Sequence, residues 1–162
     1  MGPGYRMLGF AVIAILYIVV GIMAATGTIS IFRKIFRPRA EQIFYAIFLI
    51  FIALLYLAFI AYFGTASAWQ LEATAVAVFI VIGLVGVRLP FALIIGYAMH
   101  GMWDMLHELP AHGGPSLFDS GRLTIIPLAY GFFCAAFDWY AAAYFYRRRA
   151  EWSAGWKTKS QR

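Results

Sequence analysis

The sequence predicts an all-α, polytopic membrane bundle of five transmembrane helices. Three observations carry this. Of its 162 residues 64% are hydrophobic and only 12% charged. The apolar residues gather in runs long enough to cross roughly 30 Å of hydrocarbon as helices. Lysine and arginine cluster beside those runs. A soluble domain of this length needs more polar residues to cover its surface. The single cysteine, Cys134, excludes an intrachain disulfide. A net charge of +6 would point a soluble protein towards nucleic acid. Here the charges abut apolar segments, so the expected partner is the lipid bilayer and not nucleic acid.

The runs at 7–25 and 43–63 read as spanning helices, the second almost unbroken Ile, Phe, Leu, Ala and Tyr. A third, 69–87, ends at Arg88-Leu89-Pro90, where proline forbids an uninterrupted helix. The fourth, 91–108, stops before Pro110, and the fifth, 123–146, stops at Arg147-Arg148-Arg149. Residues 1–149 thus form one membrane domain, and 150–162 a short, polar, frayed tail. Arg6 and the small residues Ala24 and Ala25 permit a cleaved signal peptide, but the basic cluster that follows resists translocation. In that cluster Ile31, Phe32, Ile35 and Phe36 alternate with Arg33, Lys34 and Arg37, as expected of a short interfacial turn anchored on headgroups.

With five spans, eleven of the thirteen basic residues fall on one side: Arg33, Lys34, Arg37, Arg39, Arg88, Arg147, Arg148, Arg149, Lys157, Lys159 and Arg162. Only Arg6 and Arg122 fall on the other. This bias places the N-terminus outside and the C-terminus in the cytoplasm, in a bacterial inner membrane.

The first two spans contain no charged residue, whereas the last three carry Glu72, then Asp104 and Glu108, then Asp138. Acids inside a bilayer mark a functional site by default. At about 100° per residue, His100, Asp104 and His107 share one face of the fourth span, with Tyr97 beside them. With 1.5 Å of rise per residue from Arg88 and Arg147, His100 lies about 18 Å above the cytoplasmic boundary, Asp104 and Glu72 about 24 Å, and Asp138 about 14 Å. His107, at about 28 Å, and Glu108 approach the watery outer rim, and His112 reads as part of a turn. On the fifth span Gly131, Cys134, Asp138, Ala141 and Ala142 share a narrow face that lets a neighbouring helix approach.

Imidazole and carboxylate are the ligands of zinc, iron or manganese. His100, Asp104, His107 and Asp138 are therefore candidate metal ligands, with Asp104, Glu72 and Asp138 as candidate catalytic acids or bases. Three functions fit this layer. The first is an enzyme acting on a hydrophobic substrate, a lipid, isoprenoid or sterol-like molecule. The second is a proton or ion relay. The third is polar glue in a non-catalytic membrane subunit, and a homo-oligomer is compatible with all three.

At "HGMWDMLHE" the sequence resembles a family of small bacterial and fungal integral membrane proteins of unknown function that carry a His-Gly-x-Trp-Asp signature. The resemblance covers His100, Gly101, Trp103, Asp104 and His107, with "FDWY" at residues 137–140 as a second block. It implies a membrane protein and no particular chemistry. The polar layer also looks like those of intramembrane hydrolases of the ceramidase and adiponectin-receptor type. Those have seven spans, so none of their residues is carried over.

Overall fold

The computed structural model describes residues 3–112, 114–119 and 121–157. Among them are five α-helices, α1 (Pro3–Ile35), α2 (Pro38–Phe63), α3 (Trp69–Gly86), α4 (Pro90–Ala111) and α5 (Tyr130–Lys157), with a short 3-10 turn at Ala66–Ala68 and no strand. Pro38 and Pro90 open α2 and α4, where a missing N–H costs nothing. α1, α2 and α3 are long and apolar enough to cross a membrane, whereas α4 and α5 are not apolar enough. Their polar side chains, among them His100, Asp104 and Asp138, are buried between helices instead of facing outward.

Several boundaries differ from those read in the sequence. α1 continues through the expected interfacial turn to Ile35. The chain breaks only at Arg37, whose extended backbone (ψ 154) is what a following proline demands. α4 carries Pro110 in its last turn, where little helix remains to be disrupted. α5 starts at Tyr130, not 123, because Pro127 disfavours helix before it and the Thr124 N–H is spent on Glu72. Nor do residues 150–157 fray: they extend α5, pinned by the fully buried Trp152. Lys159 and Arg162 lie outside the described residues.

α4 packs most extensively on α5, α1 lies along α5, α3 joins α2 to α4, and α1 and α2 barely touch although consecutive. The basic segments converge on one end of the bundle. Arg39 and Arg88 stack on the Trp156 ring at 3.9 and 4.4 Å, Gln42 Nε2 donates to the Gly86 carbonyl (2.8 Å), and Trp156 Nε1 donates to Gln42 Oε1 (3.0 Å). At the opposite end the α2–α3 connection meets the α4–α5 loop through Thr65 and Thr124 (3.0 Å) and through Ser67, which donates to the Gly121 carbonyl (2.7 Å).

Just inside the basic end, Glu41 is fully buried. It accepts hydrogen bonds from Tyr144 (2.5 Å), Trp152 Nε1 (3.0 Å) and Arg148 Nε (3.1 Å). Burial opposes the Arg148 charge, but its hydrogen bonds to Glu41 and Glu151 outweigh that and raise its pKa above the ordinary arginine value. Tyr45, Tyr97, Phe145 and Trp152 pack beside this group with ring centroids 4.7 to 6.5 Å apart.

Candidate functional site

Deeper in the bundle, two residues of α4 one turn apart meet one residue of α5. His100 Nδ1 lies 2.7 Å from Asp138 Oδ2 and 3.3 Å from Asp104 Oδ2. All three side chains are at most 1% exposed. One ring N–H cannot serve two carboxylates, and Nδ1 donates to the nearer, Asp138. Asp104 Oδ2 is left buried without a hydrogen bond, as is His100 Nε2. The other Asp104 oxygen accepts a 2.5 Å hydrogen bond from Tyr56, which comes from α2.

The close approach of α4 and α5 that assembles this group depends on glycine. A Cβ on Gly101 would stand 2.8 Å from the Trp139 indole nitrogen and 3.3 Å from Ala135 Cα, and one on Gly131 2.6 Å from the Asp104 carbonyl oxygen. Between these contacts Asp138 reaches α4, where two carboxylates and an imidazole share a buried space.

Burying two carboxylates without a lysine or arginine is costly unless a cation balances them. The ligand atoms of His100, Asp104 and Asp138 lie within 4.8 Å of one another, and among the described residues no other group of three or more His, Cys, Asp or Glu does so. A divalent ion matches the charge of the two carboxylates, the mixed nitrogen and oxygen set suits zinc, iron or manganese, and Asp104 Oδ2 supplies an acceptor that no protein group uses. The group can therefore hold a metal ion.

The remaining polar residues of α4 form separate pairs. His107, expected beside His100 as a ligand, instead contacts Glu72 of α3 (Nε2 to Oε1, 2.7 Å) and donates from Nδ1 to the Trp103 carbonyl (2.9 Å). Glu72 also accepts from the Thr124 N–H (2.9 Å) and Trp103 Nε1 (3.3 Å). Both ring nitrogens of His107 thus face acceptors, which requires an imidazolium opposite the Glu72 carboxylate or a proton held on Glu72. The single layer expected from depth is therefore two groups, because α3 turns Glu72 towards the C-terminal end of α4.

Tyr56 stands between them, its ring centroid 5.9 Å from that of His100 and 4.6 Å from that of His107. Glu108, expected at the watery rim, is buried instead; it accepts from the Gly131 N–H (2.8 Å) and pairs with His112 (2.6 Å), so the cost of its burial is met locally. Tyr97 turns away from the site and donates to the Tyr45 carbonyl (2.9 Å).

Two cavities approach these groups. One, of about 430 Å³, lies under the α4–α5 loop and is lined by His107, Ser116, Asp119 and Thr124. The other, of about 240 Å³, is an apolar crevice where α1 and α2 separate; Phe48, Ile52, Cys134 and Phe137 line it, and Asp138 lies in its wall.

Fold and site together define a helical membrane protein with a buried His/Asp/Asp group able to take a metal ion. The chain belongs to DUF6010, a family of unknown function, which it matches over residues 15–151. No curated protein and no solved structure matches it.

Proposed function

We propose that the protein is an intramembrane enzyme in which His100, Asp104 and Asp138 hold one divalent metal and act on a hydrophobic substrate, a lipid, isoprenoid or sterol-like molecule, arriving sideways from the bilayer. The observation that carries this reading is the joining of an acceptor-rich, unsaturated group to an apolar crevice that ends at Asp138. A polar group built only to hold helices together would have its acceptors satisfied. A zinc, iron or manganese ion there would supply a Lewis acid. Tyr56 holds Asp104 in one orientation, as partners behind metal ligands do. Asp104 is the proton carrier of choice, and Asp138 faces the arriving substrate. Glu72, already in contact with His107, Thr124 and Trp103, acts from the neighbouring group.

In this reading all five helices cross a bacterial inner membrane, with the basic end in the cytoplasm. A cysteine placed at Ser116 would then be labelled by an impermeant reagent from outside only. Labelling from the cytoplasmic side alone would reverse the topology.

Elemental analysis of detergent-purified protein tests the metal. One equivalent per chain, absent from His100→Ala and Asp104→Ala, is the expected result; metal-free wild-type protein would sink the reading. A second reading, a proton relay, is favoured by the contact of the Tyr56 ring with both histidines and by the cavity that reaches His107. It requires pH-dependent flux in liposomes that Asp138→Asn abolishes.

A further inference from the structure

α1 and α5 run side by side, and the surface between them changes character along its length. Ile18, Ile22, Phe132, Ala136 and Trp139 line an apolar groove of about 330 Å³. Towards the basic end, a second groove of about 260 Å³ is lined by Ser30, Arg33, Tyr144 and Arg147. Tyr140 lines both, so the two adjoin at its side chain.

Neither Arg33 nor Arg147 forms an ion pair among the described residues, and no carboxylate lines this end of the groove. The acids nearby are already engaged: Glu41 pairs with Arg148 and accepts the Tyr144 hydroxyl, and Glu151, one turn beyond Arg147, pairs with Arg148. From Ile18 to Arg33 the helical rise is about 22 Å, about half of the roughly 40–45 Å that a bilayer spans with its headgroup regions, which is the depth of one leaflet.

We infer that the α1–α5 surface is a binding site for one anionic phospholipid of the leaflet at the basic end, its phosphate between Arg33 and Arg147 and one acyl chain along Ile22, Ala136 and Trp139. A cationic, hydroxyl-bearing head adjoining an apolar groove, the two together of leaflet depth, complements that lipid class in charge and in length. The site lies on the face of α5 away from the His100 group and does not depend on any metal there.

Native mass spectrometry of the full chain released from detergent, with phosphatidylglycerol or phosphatidylcholine added, tests the inference. Wild-type protein retains one phosphatidylglycerol in preference to phosphatidylcholine. Arg33→Gln/Arg147→Gln lowers that retention about tenfold or more, whereas Lys34→Gln/Arg37→Gln, which removes the same charge outside the groove, leaves it unchanged. Ser30→Phe blocks the head of the groove without altering charge and loses the lipid too, which keeps the test open if the double arginine variant does not fold. Equal losses in the two double variants, or equal retention of the two lipids by wild type, would overturn the site.

Discussion

Two of the groups in which the protein buries carboxylates are built differently. At the basic end Glu41 meets an arginine, a tyrosine and an indole, and both its oxygens are occupied. In the middle of the bundle Asp104 and Asp138 flank one imidazole nitrogen, whose N–H goes to Asp138, and one Asp104 oxygen accepts no hydrogen bond. Both groups join α2 to α5, the second by way of α4, so holding helices together does not require the second arrangement. The difference separates a packing device, whose acceptors are filled by protein donors, from a group that keeps an acceptor for something else.

Substitutions in the two groups should therefore behave differently. The largest effect is expected at Asp104: Asp104→Asn keeps the shape but removes a charge, and metal content, read by elemental analysis, should fall to background with a modest change in melting. Glu41→Ala should do the reverse. It strips Arg148 of its buried partner and leaves it only the exposed Glu151, at about 3 kcal/mol in reversible unfolding, with metal retained. Tyr56→Phe removes only the hydroxyl behind Asp104, and metal affinity measured by competition with a chelator should weaken about tenfold. The smallest effect belongs to Glu72→Gln, which keeps most of its hydrogen bonds and should cost about 1 kcal/mol without loss of metal. Metal loss in Glu72→Gln as large as in Asp104→Asn would merge the two groups that the structure separates.

What could be read in the sequence followed from one-dimensional quantities. Apolar run length located α1, α2 and α3, and helical rise put His100, Asp104 and Asp138 within a few turns of one another in depth. Rise fixes height but not rotation. Glu72 was placed at the height of Asp104, yet α3 presents it to His107. Tyr56 was hidden because an aromatic residue in a run of Phe, Leu and Tyr has no distinguishing pattern, and only its partner makes it polar. Glu41 was hidden for another reason: it lies beside a basic cluster, before the apolar run of α2, where a carboxylate reads as an exposed charge. The long α5 escaped because Trp152 and Trp156 earn their burial from partners on α2, more than 100 residues away along the chain. Of the His-Gly-x-Trp-Asp block, each named residue has a physical reason to be there. His100 and Asp104 face Asp138, Gly101 admits α5, and Trp103 donates to Glu72.

The central claim is that the unsaturated acceptor belongs to a metal, and the melting temperature of chelator-stripped protein titrated with zinc, iron(II) or manganese tests it most directly. One of these ions should stabilise wild type and Glu41→Gln alike, by about 2.7 kcal/mol at a hundredfold excess over the dissociation constant, and leave Asp104→Asn unmoved. A wild type that none of the three ions stabilises, or an Asp104→Asn variant stabilised as much as wild type, would contradict the account.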